Sequence, residues 1–197
     1  AVVDQGEGSI TIDESSVACA DPEPEVPMWA RVAADWLGFV PLGRFSAIFA
    51  SRGLLNKRFG PPRKPFSEQY KDGIKPFEKI DGKPRLNETL QTNKGGNKVT
   101  LDPNKEYIWV IDKDGNLSIG EEVPVGEFPD GRKQKLGHPT LTGGQKGRIG
   151  GELRWDKSTG TWTVNGRSGR YTVNYNRTQA QLEEAAQVMK GAGVDVG

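Results

Sequence analysis

The chain has 197 residues, a formal net charge of +1 and a hydrophobic content of 34%, with 26 glycines and 13 prolines. This composition favours a single hydrophobic core confined to part of the chain over an evenly packed globule. Because Cys19 and His138 are the only residues of their types, an intramolecular disulfide is excluded and a His/Cys metal centre is nearly excluded. We therefore expect no bound metal and no cofactor.

The charged residues are distributed unevenly along the chain. Residues 1–27 contain seven acidic residues and no basic one, whereas residues 131–177 contain ten basic residues against Glu152 and Asp156. A local excess of positive charge of this size is typical of proteins that bind a polyanion.

The first half of the chain shows three successive patterns. Residues 1–27 predict an acidic, extended lead-in, because the Pro-rich run 21–27 cannot form a helix interior. Residues 28–55 are apolar with helical spacing, but Arg31, Asp35 and Arg44 favour short amphipathic helices over a membrane span, so we expect no stable membrane insertion. Residues 56–93 contain five prolines and predict a linker.

Residues 94–197 are predicted to form the functional domain. Tyr107–Ile111 reads as a buried strand, and Asp114-Gly115 predicts a hairpin turn into a second strand. Residues 150–155 and 161–164 predict a second hairpin, and residues 171–173 a further short strand. Thr178 and Gln181 form a capping box for a helix that ends at Gly191. The pattern indicates an α+β fold: a small twisted antiparallel sheet with a C-terminal helix, preceded by a helical or extended N-terminal region.

His138 is the first candidate catalytic residue. Its imidazole has an unperturbed pKa of about 6.5, which suits proton transfer near neutral pH. Gly137 and Pro139 flank it in a turn, and a Gly-rich basic loop that contains Lys146 and Arg148 follows. A structural role for His138 and a simple mobile turn for the loop remain the alternatives.

Residues 165–171 are the second candidate. Arg170 could bind an anion bidentately, Ser168 could donate a hydrogen bond to it, and Tyr171 could stack on a base or orient the target. The alternative is a solvated turn whose tyrosine returns to the core.

Four segments of the C-terminal region, which include both candidates, carry a family resemblance. Residues 137–141, 150–153, 162–165 and 168–171, followed by a helix, resemble the C-terminal toxin domains of bacterial polymorphic toxins, in particular ribonucleases of the barnase, EndoU and RelE group. EndoU-like enzymes have an early histidine and a late Ser/Thr-x-Tyr motif. Here the segment Ser168–Tyr171 is one residue longer and a second histidine is absent, so a two-histidine mechanism is not implied.

The N-terminal region carries a second resemblance. Residues 5–12 and 23–27, with Trp29, resemble the region that leaves a PAAR spike-tip domain in type VI secretion effectors. Together the two resemblances imply an interbacterial effector toxin that is secreted and acts in the cytoplasm of a target bacterium. The implied partners are RNA, a cognate immunity protein and components of the secretion spike.

The implied activity is metal-independent cleavage of RNA, in which the 2′-hydroxyl attacks the adjacent phosphate. The catalytic candidates are His138, Arg170, Tyr171 and Ser168, and the substrate-binding candidates are Lys146, Arg148, Arg154 and Arg167. One alternative is an ADP-ribosyltransferase, which would place His138 and Tyr171 around NAD. The other is a non-enzymatic delivery or adaptor module.

Overall fold

The computed structural model of the chain describes residues 44–197. The predicted lead-in 1–27 and most of the apolar segment 28–55 lie outside the described residues. No helix in the described part of the chain is long and apolar enough to cross a membrane.

The described residues form two α-helices and nine strands. The helices are α1 (Arg44–Phe59) and α2 (Gln179–Gly191). The strands are β1 (Lys79–Ile80), β2 (Lys83–Pro84), β3 (Gln91–Thr92), β4 (Tyr107–Asp112), β5 (Leu117–Glu121), β6 (Pro124–Glu127), β7 (Lys133–Lys135), β8 (Gly147–Asp156) and β9 (Thr161–Asn165). The main sheet is antiparallel with the order β3-β5-β4-β8-β9, and β1-β2 and β6-β7 form two separate ribbons. The predicted α+β class, an antiparallel sheet with a C-terminal helix, is confirmed.

Both predicted hairpins are present, and local sequence accounts for them. In the β4-β5 turn, the carboxylate of Asp112 accepts hydrogen bonds from the backbone N–H groups of Asp114 and Asn116, at 2.8 and 2.9 Å. Gly115 has a φ of 91°, which a side chain would disfavour. In the β8-β9 hairpin Leu153 pairs with Val164, and the register does not shift along the two strands.

The main core lies between one face of the sheet and α2. Ala185 and Met189 of α2 are fully buried against the sheet residues Trp109, Ile149 and Leu153. The predicted capping box is formed. The Thr178 hydroxyl accepts a hydrogen bond from the backbone N–H of Gln181, and the Gln181 side-chain oxygen accepts one from the N–H of Thr178. Amphipathic spacing and a local cap therefore set the position of this helix.

The opposite face of the sheet holds a second, smaller cluster. Ile108 and Val110 of β4 pack there with Leu141 and Tyr171. A one-turn 3-10 helix, His138–Leu141, lies over this face and brings His138 against β8. The candidate site is built on this side of the sheet.

Two sequence-based boundaries need correction. Residues 56–93 are not a separate linker: Phe59 is fully buried in the main core, β3 joins the main sheet, and Arg63 forms a bridge with Gly147. The compact unit accordingly spans Phe45–Gly197 rather than beginning at residue 94. The prolines interrupt regular structure there without preventing packing on the sheet.

The predicted strand at residues 171–173 is also wrong. The backbone N–H of Tyr171 bonds to the Ser168 hydroxyl, and the N–H groups of Thr172 and Val173 bond to the Ser168 carbonyl. These local bonds close a turn, which a 3-10 helix, Val173–Tyr175, follows.

The β8 glycines give a test of the packing. A Cβ at Gly151 would overlap with the carbonyl oxygen of Asn165, a backbone group that cannot move away easily. We expect Gly151→Ala to lower the free energy of unfolding by about 2–3 kcal/mol, as for an overpacked core. Urea denaturation measures it.

Gly53→Ala in α1 is the matched control, because its Cβ would meet no atom within 4 Å. Helix propensity predicts a gain of about 0.5–1 kcal/mol for that variant. Equal behaviour of the two variants would contradict the packing of β8 against Asn165.

Candidate active site

His138 is fixed by a hydrogen bond to β8. Its Nε2 lies 2.9 Å from the carbonyl oxygen of Gly151, and the residue is 9% exposed. Because a carbonyl can only accept, Nε2 carries the hydrogen of the neutral ring. Nδ1 is then the nitrogen with the lone pair.

Two glycines near His138 allow close packing of other groups. A Cβ at Gly150 would lie 2.8 Å from the Trp109 carbonyl, although only in ordinary contact, at 3.4 Å, with the imidazole. A Cβ at Gly137 would lie 2.6 Å from the Glu78 carboxylate, which accepts a 3.0 Å hydrogen bond from the Gly137 N–H. Glycine at these positions therefore keeps β8 close to β4 and lets Glu78 bond to the residue before His138.

Ser168 and Tyr171 serve as structural supports and are not presented to a cavity. Tyr171 is fully buried, and its hydroxyl bonds to the Thr142 hydroxyl and the Gln145 carbonyl, each at 2.9 Å. Burial raises the pKa of Tyr171 above its ordinary value. Ser168 is 1% exposed and its hydroxyl accepts from the Tyr171 N–H. The expectation that both would contact substrate is corrected, since their polar atoms are used in holding the loops together.

Thr172 completes this support. Its hydroxyl donates to the Gly150 carbonyl and accepts from the Gly150 N–H. The turn 168–172 is thus attached to β8 beside His138, and Arg170 is carried to the same side.

A cavity of about 380 Å³ lies at this position. His138 and Arg170 both line it, together with Gly137, Gly169 and Phe128. Its other charged residues are Lys75, Arg132, Lys133, Lys135, Glu78 and Glu122. Five cationic side chains thus face two carboxylates around the imidazole.

The imidazole is neutral near pH 7. Burial is the largest cause that lowers the pKa of His138 to about 4; the positive charges of Arg170 and Lys75 act in the same direction, while the Gly151 contact and Glu122 oppose the shift. His138 is therefore a base rather than an acid at neutral pH.

Arg170 is the cavity cation with unused hydrogen-bonding capacity. Its Nη1 is buried without a hydrogen-bond partner, and Arg170 forms no ion pair with a carboxylate among residues 51–197. Its guanidinium lies over the ring of Tyr70, 5.5 Å from the centroid. A buried donor without a partner is costly, so this nitrogen is a natural position for an anion.

Sequence reasoning missed Lys75, Glu78 and Glu122. Glu78 is 1% exposed and accepts from the N–H groups of Gly137 and Lys75, so it shapes the cavity wall. Glu122 forms a 2.7 Å ion pair with Lys135 and raises the pKa of that lysine. Lys75 and Glu78 fall in the Pro-rich segment, where no local pattern indicated a site.

Lys146 and Arg148 do not line this cavity. They lie with Lys113 around a separate cavity of about 530 Å³ near α1. Arg148 is 2% exposed and donates to the carbonyls of Lys113 and Gly60 and to the Asn56 side chain. Its predicted role in substrate binding is corrected to a structural one, because its guanidinium holds α1 to the sheet.

The Gly-rich loop before Lys146 is a structural turn. Gly143 and Gly144 have φ values of 57° and 73°, and the N–H of Gly144 donates to the Pro139 carbonyl. The N–H of Gln145 donates to Thr142. Two amides that could have received a phosphate are thus already occupied.

Arg154 and Arg167 also lie outside the cavity that contains His138. Arg154 is exposed on β8 and contacts Glu152 at 3.4 Å and Glu106 at 3.9 Å. Arg167 is exposed beyond the end of β9. The basic residues of 131–177 are therefore divided among several surfaces, and the expected convergence of these two on the site is not observed.

Comparison with protein-family models, with curated proteins and with solved structures gives no match to this chain. The site is therefore interpreted from its own geometry.

The buried histidine predicts a pH dependence of stability. The pKa of His138 is about 4 in the folded chain and 6.5 in the reference state, so the unfolded chain binds the proton first as the pH falls. The free energy of unfolding should therefore be constant above pH 6.5 as far as His138 is concerned, and should fall by about 3 kcal/mol as the pH decreases from 6.5 to 4. Urea titrations at several pH values measure it.

His138→Gln is the control, because a Gln amide can donate to the Gly151 carbonyl but does not titrate. The wild-type chain should lose about 3 kcal/mol more than this variant over that pH range. Parallel stability curves would show that the imidazole is not buried as a neutral group.

Proposed function

We propose that this chain is an antibacterial effector toxin, a metal-independent endoribonuclease that cleaves RNA through attack of the 2′-hydroxyl on the adjacent phosphate. One observation carries the proposal. A neutral imidazole and a guanidinium with an unpartnered, buried Nη1 line the same cationic cavity.

The charge of the cavity supports a phosphodiester substrate. Five cationic side chains against two carboxylates attract a polyanion without selecting its sequence. Lys135, Lys133 and Arg132 contact carboxylates, at 2.7, 3.7 and 2.8 Å. Neither Arg170 nor Lys75 forms an ion pair among residues 51–197, and of the two only Arg170 has a buried nitrogen without a hydrogen-bond partner, so it is the cation best able to bind the reacting phosphate.

The proposed first step uses His138 as the general base. Its Nδ1 takes the proton of the 2′-hydroxyl as the 2′-oxygen forms a bond to phosphorus. The Gly151 carbonyl holds the Nε2 hydrogen, and it stabilises the imidazolium that forms. With a pKa of about 4, this imidazolium then returns its proton to water.

Arg170 acts on the charge that develops at phosphorus. Its guanidinium donates to the non-bridging oxygens of the phosphorane, and its Nη1 gains the partner that it lacks. The bond from phosphorus to the 5′-oxygen then breaks. That oxygen takes a proton from the Lys75 ammonium at the cavity wall, and the products are a 2′,3′-cyclic phosphate and a 5′-hydroxyl.

Ser168 and Tyr171 have positioning roles in this proposal. They hold the turn that carries Arg170 and touch no reacting atom. The same geometry disfavours the ADP-ribosyltransferase alternative, which requires Tyr171 to face nicotinamide with His138. No observation favours the adaptor alternative over an enzyme.

The resemblances to polymorphic toxins and to the PAAR-linked region supply the biological setting of the proposal. The toxin would be secreted, delivered with spike components, and active in the cytoplasm of a target bacterium. A cognate immunity protein would protect the producing cell. An acidic surface that covers the rim of the cavity would suit its five cations.

Two variants test the roles of the cavity residues. We expect His138→Gln to lower the rate of RNA cleavage about 10²–10⁴-fold, through loss of the base. Arg170→Gln should lower it about 10²–10³-fold, through loss of a preorganised donor. A fluorogenic RNA assay measures the rates, and circular dichroism confirms that the variants fold.

Arg167→Gln is the matched control, because it removes the same charge three residues away on an exposed side chain. Its rate should stay within about twofold of wild type, as for a rim charge outside the site. Equal losses in Arg167→Gln and Arg170→Gln would contradict a specific role for Arg170.

The chemistry has its own test. A single 2′-deoxy substitution 5′ to the cut should abolish cleavage there, because the nucleophile is removed, and mass spectrometry should detect a cyclic phosphate on the RNA product. Cleavage should continue with excess chelator. Cleavage at the deoxy position, or harmless expression of the chain in a bacterial cytoplasm, would contradict the proposal.

A further inference from the structure

Two aromatic rings are associated with the pair His138 and Arg170. The half-buried Phe128 follows β6 and lines the same cavity. Tyr70, which does not line that cavity, packs against the Arg170 guanidinium. Tyr70 also lines a second cavity, of about 710 Å³. Arg170 therefore belongs to the first cavity and contacts a wall residue of the second.

Phe128 is held rigidly at its position. Its ring meets Phe77 edge to face at 5.9 Å between centroids, and the Arg132 guanidinium lies 5.4 Å from its centroid. Its backbone N–H bonds to the Arg132 carbonyl and closes the turn of the β6-β7 ribbon. A ring fixed in this way loses little freedom when a base stacks on it.

The second cavity also carries unpaired positive charge. Lys64 and Lys71 line it, and both are exposed, beside an ion pair between Lys79 and Asp72. Neither Lys64 nor Lys71 forms an ion pair with a carboxylate among residues 51–197. Cations and aromatic rings in one surface region are the features that bind single-stranded nucleic acid, since phosphates meet the charges and bases stack on the rings.

We propose that the substrate is single-stranded RNA of at least two nucleotides, bound as an extended strand with one base on Phe128, the reacting phosphate at Arg170 and a further base on Tyr70. This inference rests on the proposed ribonuclease function. It names the form of RNA that the site accepts. Bases paired in a duplex are stacked on one another, and their faces are not free to stack on either ring.

Binding and cleavage are measured separately with the full chain. Binding uses a fluorescent oligoribonucleotide with 2′-O-methyl groups, which cannot be cleaved, either alone or annealed to its complement. Affinity for the single strand should rise steeply from one nucleotide to about two, the length that supplies both stacked bases and the phosphate between them. The duplex should bind at least tenfold more weakly at the same salt concentration.

Phe128→Leu and Tyr70→Leu should each weaken binding of the single strand about 5- to 100-fold, the range for loss of one stacked base. Phe66→Leu is the control, because Phe66 is 42% exposed, packs against Tyr175 and lines neither cavity. The Phe66→Leu variant should bind the single strand with the affinity of wild type.

The outcomes separate the two proposals. Cleavage that is indifferent to Phe128 and Tyr70, or equally fast on duplex RNA, would overturn the single-strand inference and leave the ribonuclease proposal standing. Ring-dependent binding of the single strand without cleavage of any RNA would contradict the ribonuclease proposal alone.

Discussion

The candidate site depends on one hydrogen bond, from Nε2 of His138 to the carbonyl of Gly151. A buried imidazole without a partner would be costly, and this bond both removes that cost and selects the tautomer. Thr172 then fastens the turn that carries Arg170 to the neighbouring Gly150. The imidazole of His138 and the turn that carries Arg170 are thereby attached to adjacent residues of β8.

The burial of His138 also decides which cavity group is proposed as the base and which as the acid. It lowers the pKa of His138, so near pH 7 the ring is neutral, with a lone pair free to take a proton and no imidazolium proton to donate. In the proposed reaction the proton for the leaving oxygen therefore comes from another group, Lys75 at the cavity wall. The carboxylates act differently: Glu78 is used by backbone N–H groups and Glu122 by Lys135. In the proposed reaction a single histidine therefore serves as the base, and other side chains supply the charge stabilisation and the acid.

Local patterns predicted the secondary structure better than they predicted the site. The hairpin at Gly115 and the helix after Thr178 are set by residues a few positions apart, so both could be recognised in the sequence. Whether basic residues share a surface depends instead on packing between distant segments. Arg148 and Arg170 are 22 positions apart in the same basic stretch, yet the first binds carbonyls beneath α1 and the second reaches the cavity. Glu78 could not be predicted, because its partner Gly137 is 59 positions away.

The segment 168–172 shows why a short motif is an incomplete guide to catalysis. Ser168, Tyr171 and Thr172 use their polar atoms within the fold, and Arg170 has the only charged side chain of the segment at the cavity. Replacing any of the three would disturb the turn that carries Arg170, so a loss of activity in such a variant would not by itself identify a catalytic group. Arg170 differs because its Nη1 has no hydrogen-bond partner among the described residues. A substitution there removes the contact with Tyr70 but leaves the hydrogen bonds of the turn intact, and its effect therefore reports on the ligand more directly than on the fold.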